Sequence, residues 1–207
     1  MDFLNQNIIL YLVVYLLAGI PFGYILAKFF AGVDIKNEGS GNIGATNVIR
    51  VVKAKDAKLA KKLGIITFIL DAFKGVAVIL VAMYLDAPEG VLWTIAVLAV
   101  IGHCFSIFLS FEGGKGIATG FGVLLVMMPV PALIGISLWF VATKTIPISV
   151  VSAMTGLFTV VIASYIIYPQ VPEIGSHAPI WIIAIIVSYK HIPNIMQLFV
   201  KKEEAQA

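Results

Sequence analysis

The stretch Ile117-Ala118-Thr119-Gly120-Phe121-Gly122-Val123-Leu124-Leu125-Val126-Met127-Met128-Pro129-Val130-Pro131-Ala132-Leu133-Ile134-Gly135-Ile136-Ser137-Leu138-Trp139-Phe140-Val141-Ala142-Thr143 decides the fold of this chain. It is one apolar block broken by Met128-Pro129-Val130-Pro131. At ~1.5 Å of rise per residue it is too short for two full crossings of a ~30 Å hydrocarbon layer. It is awkward as one crossing, because each proline removes a helix hydrogen bond. Charge parity arbitrates. Apolar runs mark spans at about 8–30, 63–85, 91–111, 148–168 and 178–199, and a broken hairpin would add two short limbs, 117–128 and 130–145. With seven spans, a single orientation puts Lys28, Lys36, Arg50, Lys53, Lys55, Lys58, Lys61, Lys62, Lys115, Lys144, Lys190, Lys201 and Lys202 on one side. These are thirteen of the fourteen basic residues, and the last, Lys74, lies inside a span. The opposite side carries Asp2, Asp86, Glu89 and Glu173 and no lysine or arginine, as the positive-inside bias predicts. Taken as one span, the block would move Lys144 and the carboxyl end across the membrane and break the pattern. The expectation is an all-α polytopic integral membrane protein with seven transmembrane helices, amino terminus outside and carboxyl terminus cytoplasmic.

Composition agrees: 60% of residues are hydrophobic, 12% are charged, and the mean hydropathy is +1.03. A soluble domain of 207 residues does not need so much apolar surface. Residues 1–207 are expected to form a single membrane-embedded domain. The first apolar run follows no basic stretch and is longer than a signal-peptide core, so it is expected to remain in the mature protein. The single cysteine, Cys104, permits no intramolecular disulfide and suggests no metal cluster. No metal, cofactor or nucleic-acid partner is expected.

The topology brings three polar segments to the cytoplasmic side: the loop 31–62, the loop 112–116 and the end of the last span at 188–194. The first contains Gly39-Ser40-Gly41-Asn42-Ile43-Gly44-Ala45-Thr46-Asn47. Glycines at these spacings let the backbone take φ > 0 and turn successive N–H groups toward one point, while Ser40, Asn42, Thr46 and Asn47 add side-chain donors. The natural ligand is a phosphate or carboxylate. The text match to a dinucleotide fingerprint, Gly39-x-Gly41-x-x-Gly44, is rejected because it follows an apolar span and not a strand of a βαβ unit. Arg50, one helical turn further on, can return its guanidinium to the bound anion. Residues 48–62 form a basic amphipathic segment suited to anionic headgroups, or alternatively only a positive-inside anchor.

The second segment, Gly113-Gly114-Lys115-Gly116-Ile117-Ala118-Thr119, opens a helix and makes a second anion cradle without the spacing of a nucleotide P-loop. Its alternative is a tight interhelical turn with a snorkelling lysine. His103 lies roughly two turns deeper, as a site residue or simply a buried one. Asp71 and Lys74 share a face inside the second span, either as an ion pair that fixes packing or as part of the site lining. Lys190-His191-Ile192-Pro193-Asn194 is expected to close the last helix at the same face. Two phosphate-sized cradles at one membrane surface imply two phosphorylated substrates or one diphosphate, at least one of them lipidic.

The segments 39–48, Gly102-His103-x-Phe105 followed by 113–119, and His191-x-x-Asn194-Ile195 closely resemble, in order, the three motifs of the bacterial acylphosphate-dependent glycerol-3-phosphate acyltransferases, the PlsY family. The resemblance implies transfer of a fatty acyl group from a long-chain acyl phosphate to the 1-hydroxyl of glycerol 3-phosphate. The products would be lysophosphatidic acid and phosphate, at the cytoplasmic face of a bacterial inner membrane. It assigns Ser40, Arg50, Lys115, His191 and Asn194 to the phosphates, with Asn42, Thr46, Asn47 and His103 in support. Gly39, Gly41, Gly44, Gly113, Gly114, Gly116 and Thr119 belong to the two cradles, and Lys74 is a further candidate. The chain departs from the family pattern at Ser106, where proline is common, at Glu112, where lysine is common, and at Ile192-Pro193. An acyl phosphate carries a good leaving group, so orientation and charge stabilisation supply most of the acceleration. No acidic residue with a nearby histidine stands out as a base, which leaves a substrate phosphate to accept the proton. Two rivals are an acyltransferase using a thioester donor, whose histidine–aspartate spacing is missing after His103, His177 and His191, and a small organic-phosphate transporter.

Overall fold

In a computed structural model, residues 2–204 are described, with side chains from 7 to 198. The first apolar run is bent. Helix α1 (Asp2–Gly19) stops before Pro21, which has no N–H to give, and the chain restarts as α2 (Phe22–Leu26). A π-helical turn over Ala27–Ala31 follows, and Gly32 closes it at φ 61°. At the break the Ile20 carbonyl accepts from Phe22 N–H at 3.1 Å and from the Lys74 ammonium at 2.9 Å. The remaining helices are α3 (Ala45–Val52), α4 (Ala57–Tyr84), α5 (Glu89–Cys104), α6 (Ile117–Met127), α7 (Pro129–Thr145), α8 (Ser149–Ile167) and α9 (Ala178–Glu204), so the regular structure of the described residues is all helical.

Among the described residues, five stretches are long and apolar enough to cross a membrane: Asn7–Ala31, Ala57–Tyr84, Glu89–Leu109, Ser149–Ile167 and Ala178–Leu198. The deciding block is two shorter apolar helices, α6 and α7, about 17 and 26 Å long at ~1.5 Å per residue. They separate at Met128, and Pro129 and Pro131 fall in the first turn of α7, where a missing N–H costs no hydrogen bond.

The basic segment 48–62 is not one amphipathic helix. It turns at Lys53–Lys55, and Asp56 caps α4 by accepting from the N–H groups of Lys58 and Leu59 at 2.7 and 3.0 Å. Val48, Val51 and Val52 pack against Ala27, Ile35, Ala60 and Leu63, so the apolar face is covered by protein. Lys53, Lys55, Lys58, Lys61 and Lys62 remain exposed.

In lipid, helices associate through close approach more than through escape from water. Gly75 of α4 sits where a Cβ would meet the Thr119 carbonyl of α6 at 2.7 Å, and a Cβ at Gly122 of α6 would collide with the Ala72 backbone. Gly135 and Gly156 serve the α7–α8 contact in the same way. Helices α1 and α5 are tied by Tyr15 Oη donating to the Phe105 carbonyl and Ser106 Oγ donating to the Gly19 carbonyl, both at 2.6 Å. Ser106, which departs from the family pattern, is thus buried and satisfied. Glu112, another departure, lies 3.7 Å from Lys36 and joins the first loop to the second.

Candidate active site

The first loop is shaped around Asn47. Its Oδ1 accepts from Ser40 N–H at 2.8 Å, and its Nδ2 donates to the carbonyls of Ile35 and Glu38 at 3.0 and 3.1 Å. Gly39 and Gly41 hold φ of 66° and 68°, and a Cβ on Gly39 would strike the Asn47 amide. The chain leaves this loop at Gly44 and enters α3, whose first N–H groups have no intrahelical acceptor. The second loop is stitched to the end of α5: Gly113 N–H donates to Cys104 O at 3.1 Å and Gly114 N–H to His103 O at 2.9 Å. A Cβ at Gly113 would collide with the His103 carbonyl, and one at Gly114 with the His103 ring. Gly116, at φ 86°, starts α6.

These two helix N-termini and α9 line one space. Lys115 Nζ donates to Asn194 Oδ1. His191 is buried, and its Nδ1 lies 2.7 Å from the Val187 carbonyl. A carbonyl only accepts, so Nδ1 carries the hydrogen and Nε2 is left for a ligand. Helix α9 does not end at 190–194; it continues through Pro193 to Glu204. His191 and Asn194 are therefore neighbours on one helix face rather than end-capping groups.

Together these elements enclose a cavity of about 170 Å³. Of the residues singled out in the sequence, Ser40, Asn42, Gly44, Thr46, Asn47, Arg50, His103, Lys115, Gly116, His191 and Asn194 line it. Gly39, Gly41, Gly113 and Gly114 shape the loops behind. Thr119 lies outside the lining, its buried hydroxyl donating to the Asp71 carbonyl at 2.8 Å. Lys74 is also outside it, 3.0 Å from Asp71 Oδ1 and bound to Ile20 O.

The cavity also has walls that the motifs do not reveal. Phe68, Trp139, Thr143, Ser149, Val150 and Ala153 form an apolar and aromatic side, with the Phe68 and Trp139 rings stacked at 5.3 Å. Phe68 is one turn before Asp71 on α4, which is a detectable signal; nothing in the sequence ties α7 and α8 to that face. Asp71 also lines the cavity, with Oδ1 3.7 Å from His103 Nδ1. An acidic residue beside a histidine is therefore present, contrary to the sequence expectation; the partners are far apart in the chain.

Charge in the cavity is mainly positive. Arg50, Lys115 and two helix N-termini face it, and Asp71 is the carboxylate among its described lining residues. Burial, with Arg50 and Lys190 nearby, lowers the Lys115 pKa to about 8. Such a cavity suits an amphiphile with an anionic head held beside a second anion.

The chain belongs to the glycerol-3-phosphate acyltransferase family, whose model matches residues 8–201. Glycerol-3-phosphate acyltransferase of a Nitratiruptor species is 54% identical over 204 residues, 98% of each chain. The protein of the same name from Campylobacter concisus is 55% identical over 199 residues, 96% of this chain and 98% of that one. Crystal structures of PlsY (YgiH), an integral membrane glycerol 3-phosphate acyltransferase, superpose with TM-scores of 0.83 for the glycerol 3-phosphate form and 0.81 for the lysophosphatidic acid form. Their identities are 31% and 30%, over 95% of this chain and 93% of those chains.

Proposed function

We propose that this chain is a membrane-embedded acyltransferase that moves a fatty acyl group from acyl phosphate to the 1-hydroxyl of sn-glycerol 3-phosphate, giving lysophosphatidic acid and phosphate for phospholipid synthesis. The observation that carries the reading is the convergence of the α3 and α6 N-termini with Arg50, Lys115, His191 and Asn194 around one cavity whose other side is apolar. Ser40, Arg50, Lys115, His191 and Asn194 hold the two phosphates, with Asn42, Thr46 and the Gly44 and Gly116 helix starts in support. Fixing two anions side by side turns a bimolecular encounter into an oriented attack. The glycerol oxygen bonds to the acyl carbon, the bond from that carbon to the phosphate oxygen breaks, and the cationic cradle stabilises the charge that develops. The hydroxyl proton passes to a substrate phosphate.

The chain is one domain over residues 1–207, in the bacterial inner membrane, with seven crossings, an external amino terminus and the cavity at the cytoplasmic face. In this reading helices α6 and α7 are the two short limbs, supported by Lys115 and Gly116 before one and Thr143 at the end of the other lining the same cavity. The basic residues of the α3–α4 turn face anionic lipid headgroups.

The test uses purified protein in detergent, glycerol 3-phosphate and palmitoyl phosphate, with palmitoyl-coenzyme A as a parallel donor. Phosphate release that depends on glycerol 3-phosphate, with lysophosphatidic acid formed from the acyl phosphate alone, is expected. Product from the thioester alone would overturn the donor. No product from either in folded protein would favour a transporter of an organic phosphate.

A further inference from the structure

Asp71 and His103 lie at the cavity wall, 2% and 4% exposed. Asp71 Oδ1 and His103 Nδ1 face each other at 3.7 Å, both buried; the carboxylate oxygen has the Lys74 ammonium 3.0 Å away, and the ring nitrogen has no hydrogen-bond partner. Buried polar atoms are rarely left so unless a small movement pairs them. Here a shift of ~1 Å brings them to hydrogen-bond distance. Lys74 backs the pair, 3.0 Å from the same Asp71 oxygen and anchored on the Ile20 carbonyl, so the carboxyl group is held toward the ring. The Thr119 hydroxyl bonds the Asp71 carbonyl and fixes its backbone against α6. On the ring's other side Nε2 lies beneath Gly114, where a Cβ would collide with it. A side chain there would cover the nitrogen next to Lys115.

A carboxylate oxygen accepts, so pairing with Asp71 puts the hydrogen of His103 on Nδ1 and leaves Nε2 as an acceptor. We propose that His103 Nε2, fixed as an acceptor through Asp71, accepts a hydrogen bond from a hydroxyl of the phosphorylated polyol acceptor. This rests on the acyltransferase reading. Of the two substrates, an ionised acyl phosphate has no N–H or O–H to offer such a nitrogen, whereas the polyol has two hydroxyls. With its phosphate among Arg50, Lys115 and the helix N-termini, a three-carbon polyol has its hydroxyls free to reach the wall. Asp71 is a positioning residue, and His103 a binding residue for the acceptor.

The experiment compares wild type, His103→Leu, His103→Gln and the double variant Asp71→Leu/Lys74→Met with two acceptors, glycerol 3-phosphate and 3-hydroxypropyl phosphate, which lacks the secondary hydroxyl. His103→Leu is expected to lower kcat/KM for glycerol 3-phosphate about tenfold, the loss of one well-placed hydrogen bond, with the KM for acyl phosphate unchanged. His103→Gln, with an amide oxygen near the Nε2 position, recovers most of it. If the secondary hydroxyl is the one bound, wild type and His103→Leu use 3-hydroxypropyl phosphate equally. If it is the reacting hydroxyl, His103→Leu loses the same factor in kcat with both acceptors. Either pattern supports the proposal and identifies the hydroxyl. Wild-type kcat and KM in folded His103→Leu overturn it. Should that variant fail to fold, the double variant, which replaces the ion pair with apolar groups of similar size, carries the test: the same tenfold loss is expected, and unchanged kinetics overturn the proposal. A wild type that forms no lysophosphatidic acid overturns the acyltransferase reading itself, an outcome read before any variant.

Discussion

Lys115 is the residue whose chemistry depends most directly on its surroundings. Burial and the nearby Arg50 and Lys190 lower its pKa to about 8. An anion binds the protonated form, so substrate capture is complete below that pH and declines as pH rises through it. Bound phosphate raises the pKa again, so the decline belongs to kcat/KM of the free enzyme more than to kcat. Lys115→Arg should shift the alkaline limb beyond the working range, and Lys115→Ala should remove it along with roughly 10–100-fold of kcat/KM, the worth of a charged hydrogen bond. An unchanged limb in Lys115→Arg would assign it to another group. Asn47 poses the opposite case. The sequence marks it as a donor to the ligand, but its three bonds to Ser40, Ile35 and Glu38 occupy its amide in holding the loop. Asn47→Asp should therefore destabilise about as much as Asn47→Ala, by ~1–3 kcal/mol, because a carboxylate cannot donate to the two carbonyls. Melting in detergent checks this, and a variant with unchanged melting and lost activity would return Asn47 to the ligand. Motif spacing makes the chemical type of such residues legible, but whether a polar group faces the ligand or its own backbone depends on the path of the loop.

At the scale of elements, packing precision locates the cradle. Helix α6 carries Lys115 at its start and lies close against α4 through Gly75 and Gly122. A Cβ at Gly122 would collide with the Ala72 backbone, whereas one at Gly120 would find neighbours only at 3.7 and 4.0 Å. Gly122→Ala is expected to cost about 1–3 kcal/mol by overpacking and to lower activity by displacing Lys115. Gly120→Ala is expected to be neutral or to stabilise by up to ~1 kcal/mol through helix propensity. Equal melting temperatures for the two variants would defeat the argument. The break at Met128-Pro129 is legible because two prolines compel it. The bend at Pro21 is not, because the surrounding run is apolar enough to read as one span. Nor is the fate of α3: Val48, Val51 and Val52 repeat as an amphipathic face would, and the repeat is the same whether that face meets lipid or, as here, α4 and the first loop. The aromatic wall at Phe68 and Trp139 is hidden for a related reason, since in a span an aromatic facing a cavity and one facing lipid look alike.

For the whole molecule, the disposition of charge and the proposed return of the α6–α7 block make one joint prediction. Lys115 precedes the block and Thr143 lies near its end, yet both line one cavity. Two limbs that come back to the starting face preserve the alternation of every later segment, which keeps Lys144 with Lys53 and puts the α8–α9 connection opposite. A single crossing would reverse Lys144. The sole cysteine, Cys104, is buried, so a Cys104→Ala background suits single-cysteine reporters at exposed Lys53, Lys144 and Gln170. In intact cells a membrane-impermeant maleimide should label Gln170→Cys, while Lys53→Cys and Lys144→Cys should react only after the membrane is opened. Outside labelling of Lys144→Cys with Lys53→Cys protected would leave the block as one crossing. Outside labelling of both lysine positions with Gln170→Cys protected would invert the molecule. The protected pair is favoured because thirteen of fourteen basic residues then avoid translocation, and the two phosphorylated substrates proposed above would then meet the cationic cavity on that same side.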